Sequence, residues 1–446
     1  MRADIIKRYA APVPRYTSYP TANHFNPSVG AREKQNWLSS IAHGASVSLY
    51  IHIPFCHTLC WYCACSTKMT KRAEPVLRYL DALEAEIGTV AAQLAPGARV
   101  THMHWGGGSP SLLDAASIRR LGAALRRHFE MAPDVEFAIE IDPRELRQDQ
   151  VDAFVEIGIN RVSLGVQDFN QKVQDAINRQ QSFELTRDVI AQFRRRGIGS
   201  INIDLVYGLP HQTVESVKET IAQVLTLAPD RIAIFGYAHL PARVPHQKLI
   251  DETVLPDVEA RFAQSSCLAR AVIAAGYLPI GIDHFARAGD TMADQPVSRN
   301  FQGYTTDASD VLIGLGATAI SSFPQGFAQN AVGVHDYERR IADGGVATVR
   351  GMAMTADDSI RAKVIDRLMC AFTFSATELL RQFGEPARTV IADADDLDDF
   401  ERDGLIVRTA DGFNMTPDGR PLVRTVCARF DPYLARQATR RHALAV

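Results

Sequence analysis

The stretch Tyr50-Ile51-His52-Ile53-Pro54-Phe55-Cys56-His57-Thr58-Leu59-Cys60-Trp61-Tyr62-Cys63-Ala64-Cys65 decides how this chain folds. Ser48 to Ile53 is a short apolar run stopped by Pro54, which predicts a strand with the cysteines on the loop that leaves it. Four of the seven cysteines fall in the last ten residues of this stretch: Cys56, Cys60, Cys63 and Cys65. A disulfide framework would spread its half-cystines, so the cluster points to metal or redox chemistry. Zinc usually recruits paired Cys or His spacings from two separate places. Here one compact loop, Cys56-x3-Cys60-x2-Cys63, stands without a second pair. Three thiolates on a short loop suit a [4Fe–4S] cluster with one iron left open; a zinc staple is the alternative. Cys65, one residue beyond Cys63, is a strained candidate for a fourth ligand. The isolated Cys267, Cys370 and Cys427 read as small buried hydrophobes.

Outward from this loop, strand-like and helix-like segments alternate. Val100–Trp105, Val135–Ile141, Arg161–Val166, Ile201–Tyr207 and Arg231–Tyr237 follow as strands. Asp114 is an N-cap for a helix with Ile118, Leu121, Leu125 and Phe129 on its apolar face. Glu184–Arg196 and Val214–Leu227 are further helices. Such alternation implies a parallel sheet, and six units predict an α/β fold built on a partial parallel (β/α)6 barrel. Functional residues then belong at the C-terminal ends of the strands.

Ala347 to Asp357 carries no strand or helix signal. Beyond it the pattern turns helical, at Ile360–Phe372, Ala376–Phe383 and Ala387–Arg402. Leu405–Arg408 and Gly412–Met415 flank an Asp-Gly hairpin turn, and Thr416-Pro417 opens a last helix. Helices with one hairpin are winged-helix-like. The expected organisation is an N-terminal arm at 1–29, a catalytic barrel at 30–346 and a mostly helical C-terminal domain at 347–446.

Composition sets the surroundings. With 446 residues, 46% hydrophobic and 22% charged, the chain buries a sizeable core. A formal charge of -3 supplies no electrostatic case for nucleic acid or an anionic membrane. The basic tail (Arg429, Arg436, Arg440, Arg441) reads as a solvated face. No apolar stretch approaches the ~20 residues a membrane helix needs, and Met1 to Tyr9 lacks the apolar run of a signal peptide. A cytoplasmic monomer is the expectation.

Other residues carry candidate chemistry. Gly106-Gly107-Gly108-Ser109-Pro110 follows a strand, where glycines let a ligand approach the backbone; a plain tight turn is the bland alternative. Glu140 alternates with Ile139 and Ile141, so its carboxylate needs a partner, either an arginine or a ligand's hydroxyls or amine. Gln167, Arg179 and Asp204 fall at or after the ends of later strands. Tyr50 and Tyr62 bracket the cysteine loop and limit its solvent access.

The three-cysteine loop after a first strand, with the glycine run after the second, resembles the radical S-adenosylmethionine (SAM) superfamily. The match narrows with Pro14-Arg15-Tyr16-Thr17-Ser18-Tyr19-Pro20-Thr21, Gly165-Val166-Gln167-Asp168-Phe169-Asn170, Asn202-Ile203-Asp204-Leu205, Tyr237-Ala238-His239-Leu240-Pro241, Asp283-His284-Phe285-Ala286 and Asn300-Phe301-Gln302-Gly303-Tyr304-Thr305. Together these strings resemble the oxygen-independent coproporphyrinogen III oxidase family across essentially the whole chain.

The resemblance implies a radical enzyme that decarboxylates two propionates of coproporphyrinogen III to vinyl groups, giving protoporphyrinogen IX in haem biosynthesis. Its cofactors would be a [4Fe–4S] cluster on Cys56, Cys60 and Cys63 and one or two molecules of SAM. Tyr50, Gly107, Glu140, Ala238 and Ile320 would contact the first SAM; Tyr62, Gly108, Ser109, Gln167, Arg179 and Asp204 would contact a second. Reducing equivalents would come from a flavodoxin or ferredoxin. Arg15 and Arg299 are candidate partners for the substrate carboxylates. Three positions depart from the family pattern: Ala64 for glycine, Ser109 for threonine and Tyr62 for phenylalanine. The alternatives are a haem-binding chaperone on the same barrel, whose members typically lack the arm and the fourth cysteine, and another radical enzyme of tetrapyrroles, such as a haem-opening methyltransferase.

Overall fold

A computed structural model describes residues 2–435. Six strands appear where the sequence pattern places them: β1 Ser46–Ile53, β2 Arg99–Gly107, β3 Glu130–Ile141, β4 Arg161–Gln167, β5 Ser200–Tyr207 and β6 Arg231–Gly236. They pair in chain order, all parallel. Then come β7 Leu278–Ile280, β8 His284–Ala286, β9 Val311–Leu315, β10 Ile320–Phe323, β11 Gly326–Asn330 and β12 Thr348–Ala353. The twelve form one sheet, ordered β12-β11-β10-β9-β1-β2-β3-β4-β5-β6-β8-β7.

Two features lie outside the sequence reading. A seventh parallel strand, β9, joins the free edge of β1, with Tyr50 opposite Gly314. The stretch after Ala347, expected to lack structure, contains β12, which pairs antiparallel with β11. Its register is set by a neighbour rather than by local alternation, so period counting does not find it.

The alternation along the parallel strands explains the architecture. Leu49, Ile51 and Ile53 of β1, Met103 and Trp105 of β2, Ile139 and Ile141 of β3, Val162 and Leu164 of β4, and Ile203 and Leu205 of β5 all enter one apolar core. The residues between them, Ser48, His102, His104, Glu140, Ser163, Asn202 and Asp204, line a polar cavity on the opposite face. Helices cover the apolar face. Among them are Ala73–Ala91 and Ala115–His128; the latter is capped by Asp114, which accepts from the Ser117 N–H. The sheet is thus apolar outward and polar inward, as a functional partial barrel requires.

A buried polar cluster seals the β9 side. The Glu86 carboxylate accepts from the Gly316 N–H at 2.7 Å, Asn330 Nδ2 at 2.7 Å and the Tyr337 hydroxyl at 2.8 Å. Lys34, wholly inaccessible, lies 3.9 Å from it. Burial pushes the Lys34 ammonium down, and the Glu86 charge opposes that. Truncating Glu86→Ala strands a buried cation and three donors, so unfolding should become easier by about 3–5 kcal/mol. Chemical denaturation of the purified variant checks this; a loss under about 1 kcal/mol would mean that the cluster does not close the sheet.

The C-terminal part packs around Ile365, Leu368, Phe374, Phe413, Val426 and Phe430. Helices Ala356–Ala371 and Ala376–Phe383 match expectation, and the hairpin Ile406–Thr409/Gly412–Met415 gains a third strand, Thr373–Ser375. The expected helix at 387–402 is broken into Ala387–Ala392, a 3-10 turn Asp393–Asp395 and Asp398–Arg402. Its five aspartates favour local turns over helix interior. Thr416 does open a capped turn, its hydroxyl accepting from the Gly419 N–H at 3.0 Å. The helix itself starts only at Val423. The arm belongs to this second core: Ile5, Ile6, Tyr9, Tyr16 and Tyr19 pack into it. Of the basic tail, Arg429 is paired with Asp399 at 2.7 Å; Arg436, Arg440 and Arg441 lie outside the described residues. Among the described residues no helix is long and apolar enough to cross a membrane.

Candidate active site

The C-terminal ends of the parallel strands surround a cavity of about 610 Å³. The cysteine loop leaves β1 through Phe55–Cys56, which pairs with Lys68–Met69. Side chains from distant elements brace it. Asn178 Nδ2 donates to the Leu59 carbonyl at 2.9 Å, Gln247 Nε2 donates to the Tyr62 carbonyl at 2.9 Å, and His246 Nε2 lies 2.6 Å from the Cys63 carbonyl. Cys56, Cys60, Cys63 and Cys65 all line the cavity.

The sulfur environment suits thiolates. Cys60 is nearly buried, at 7% exposure. Arg144 Nη2 and Arg179 Nη1 stand 3.4 Å and 3.5 Å from its sulfur. The Cys65 N–H donates to Cys63 Sγ at 3.4 Å. Hydrogen bonding from Cys65 brings the Cys63 thiol down to about 7 against the effect of burial, whereas burial pushes Cys56 up to about 12. Cationic and N–H donors on sulfur favour soft-metal ligation. A [4Fe–4S] cluster spreads three thiolates over three irons, and here three cysteines with cationic and N–H donors beside them share one loop. The chain's own donors therefore fit a [4Fe–4S] group held by Cys56, Cys60 and Cys63.

The glycine run lies against this loop. Gly108 N–H donates to the Ile53 carbonyl and Ser109 N–H to the Phe55 carbonyl, each at 2.8 Å. Gly107 has φ +108°, and a Cβ there would collide with the His52 ring, so only glycine fits. Glu140 accepts from the Gly107 N–H at 3.2 Å, and His104 Nε2 sits 3.0 Å from its other oxygen. Burial pushes the Glu140 carboxyl up, but His104 and the Gly107 N–H outweigh this and hold it below the usual range. Its partners are thus a histidine and a backbone amide; among the described residues no arginine pairs with it. Asp204 accepts from Ser163 and Asn202, both at 2.8 Å, and burial raises its carboxyl.

Of the residues singled out from sequence, Tyr62, Gly107, Gly108, Ser109, Glu140, Gln167, Arg179, Asp204 and Ala238 line the cavity with the cysteines. Gln167 adopts φ +68°, a strained backbone for a non-glycine residue. Tyr50 and Ile320 are outside the lining. Tyr50 bonds His52 Nδ1 at 3.0 Å, and Ile320 backs Gly314, the register partner of Tyr50. Sequence reasoning misses Asp142 and Arg144. Asp142 sits 2.6 Å from Arg144 and 3.3 Å from Arg179. Burial pushes its carboxyl up, yet the two guanidiniums hold it at about 2. Asp142-Pro143 at a strand end is the only signal, and it reads as a stop.

The arm reaches this mouth. Val13, Pro14 and Arg15 line the cavity, and Arg15 Nη2 donates to the Gly236 carbonyl at 2.7 Å. Arg299 lies behind, its guanidinium 4.7 Å over the Tyr304 ring.

Comparison with known proteins identifies the class. Residues 50–224 match the model of the Radical SAM superfamily, and residues 354–422 match the HemN C-terminal domain. The oxygen-independent coproporphyrinogen III oxidase of Bradyrhizobium diazoefficiens is 44% identical over 439 residues, covering 97% of this chain and 98% of that protein. The enzyme of the same name from Escherichia coli is 40% identical over 441 residues, with 97% and 96% coverage. The solved structure of the E. coli coproporphyrinogen III oxidase superposes with a TM-score of 0.91 at 38% identity, covering 97% of this chain and 99% of that one. The chain belongs to the oxygen-independent coproporphyrinogen III oxidase family.

Proposed function

We propose that this protein carries out the oxygen-independent oxidative decarboxylation of two propionates of coproporphyrinogen III, giving protoporphyrinogen IX in haem biosynthesis. The observation that carries the reading is a three-thiolate loop, two guanidiniums at the Cys60 sulfur, opening into a cavity bordered by the arm. When bound, a [4Fe–4S] cluster with SAM supplies the one-electron chemistry that yields a 5′-deoxyadenosyl radical. For each propionate, that radical would take a hydrogen atom from the β-carbon to give 5′-deoxyadenosine; the carbon–carboxylate bond would then break, releasing carbon dioxide and passing one electron to an external one-electron acceptor, and leave a vinyl group.

The chain's residues bind, orient and exclude. Cys56, Cys60 and Cys63 hold the metal, and Arg144 and Arg179 stabilise the negative charge on sulfur. Glu140, fixed by His104 and Gly107, offers its charge to the cationic or hydroxyl groups of SAM, with Gly107 and Ala238 exposing backbone beside it. Tyr50 and Ile320 back this position from behind the lining. Tyr62, Gly108, Ser109, Gln167, Arg179 and Asp204 form a second group on the same wall, suited to a second SAM. Arg15 and Arg299 face the substrate carboxylates. A low-potential donor of the flavodoxin or ferredoxin kind completes the electron supply. A monomer in the cytoplasm is consistent with an open-iron cluster that needs reducing, oxygen-poor surroundings.

The test is an anaerobic assay of reconstituted protein with coproporphyrinogen III, SAM and a reductant. The expected products are protoporphyrinogen IX, carbon dioxide and two 5′-deoxyadenosines per porphyrinogen. 5′-Deoxyadenosine without vinyl products would overturn the substrate assignment. Stoichiometric haem binding and transfer without turnover would instead support a chaperone.

A further inference from the structure

Beside the cofactor cavity lies a second cavity of about 270 Å³, and the two share Arg15, Phe235, Gly236 and Tyr237 in their walls. Four arginines from four places meet there: Arg15 from the arm, Arg261 from helix Val258–Ala274, Arg299 from strand Ser298–Asn300 and Arg424 from helix Val423–Cys427. Among the described residues Asp283 is the only carboxylate in the lining. It is already engaged, 2.7 Å from His284 Nδ1 and 4.0 Å from Arg299.

Four guanidiniums converging on one small space can hold a multiply anionic guest through several charge-assisted hydrogen bonds at once. The Arg299 side chain is 7% exposed, and its Nε is buried without a hydrogen-bond partner. Burial pushes Arg15, Arg261 and Arg424 down, Arg424 to about 10, and repulsion within the group adds to it. Phe235, Phe262, Phe301 and Ile282 complete the wall. Apolar surface interleaved with guanidiniums fits an amphiphile bearing several carboxylates.

We infer that this four-arginine cavity holds substrate propionates that are not reacting, with Arg261 and Arg424 as specificity residues that neither motif nor spacing revealed. The inference rests on the substrate reading proposed above. Two of the four propionates survive the reaction, so their grip is available in both rounds. Arg424 brings the C-terminal domain into the site, and Arg15 brings the arm, which packs on that domain. Both appendages therefore join Arg261 and Arg299 of the barrel segment in recognition.

The test uses the reconstituted full chain with Arg261→Gln, Arg424→Gln and Arg424→Lys. Binding of coproporphyrin III, the fluorescent oxidised form with four carboxylates, is compared with that of its tetramethyl ester. Each glutamine variant should weaken coproporphyrin III about 10–100-fold, the size of a lost charge-assisted bond. The ester should bind wild type and variants alike. With the porphyrinogen, the loss should fall on KM rather than kcat, as for an interaction made equally in the ground and transition states. Arg424→Lys should recover part of the affinity. If Arg424→Gln does not fold, Arg261→Gln, which is only half-buried, carries the test. Unchanged affinity and KM in both glutamine variants, with normal vinyl production, would overturn the inference and leave the proposed function intact. Absent vinyl products in wild type, with arginine-dependent coproporphyrin binding, would overturn the function and leave the carboxylate site standing.

Discussion

Replacing Cys60 by alanine should give a folded protein that holds about a tenth or less of the wild-type iron and sulfide and makes no detectable 5′-deoxyadenosine. Of the three proposed ligands, Cys60 is the one set between two guanidiniums, Arg144 and Arg179. Two soft ligands cannot hold a cluster against solvent as three can. The fold should survive, because Asp142 remains to balance both arginines. Cys65→Ser is the matched control. Cys65 is an exposed residue; serine keeps its backbone N–H to the Cys63 sulfur and supplies a hydroxyl in place of the thiol that hydrogen-bonds the same sulfur. It should retain wild-type iron content. Iron and sulfide analysis after anaerobic reconstitution, with product chromatography, reads both variants. A Cys60→Ala protein with full iron content and SAM cleavage would refute the ligand assignment.

Glu140→Ala should lower kcat/KM for SAM cleavage about 10³-fold, roughly 4 kcal/mol, with iron content unchanged. Truncation strips a charge from the cavity wall and frees both the Gly107 N–H and His104. Charge-assisted hydrogen bonds are worth about 1.5–3 kcal/mol each, and two of them account for the expected loss. Glu140→Gln retains an acceptor for the Gly107 amide but loses the charge, so it should fall between alanine and wild type. SAM titration followed by the cluster's EPR signal separates binding from chemistry. Wild-type SAM affinity in Glu140→Ala would remove this residue from the cofactor site and leave it as a brace for the glycine run.

The inward and outward faces of the strands are legible in the residue pattern alone. Glu140 between Ile139 and Ile141, and Asp204 between Ile203 and Leu205, announce a polar lumen by period two. The cysteine spacing and the glycine run sit on loops whose position follows from the strands that precede them. Short elements are harder to find. β12 depends on the edge offered by β11, and the break near Leu397 depends on aspartates that prefer turns to helix. Asp142 and Arg144 do not stand out, because a carboxylate two residues from an arginine is common on any surface. Only the fold brings Arg179 and Cys60 to them.

The sequence by itself determined the α/β alternation, the clustering of four thiols on one loop after the first strand and the family. Each rests on residues near one another in the chain, where spacing translates directly into geometry. The tertiary structure alone decided how the sheet ends, what surrounds the sulfurs and how the appendages take part. Arg15, Arg261, Arg299 and Arg424 lie far apart in the chain, from the arm to the C-terminal domain, and no local pattern links them. Their convergence depends on the arm packing into the C-terminal core, which presents both at the barrel mouth, so the carboxylate cavity exists only once the separate parts have docked.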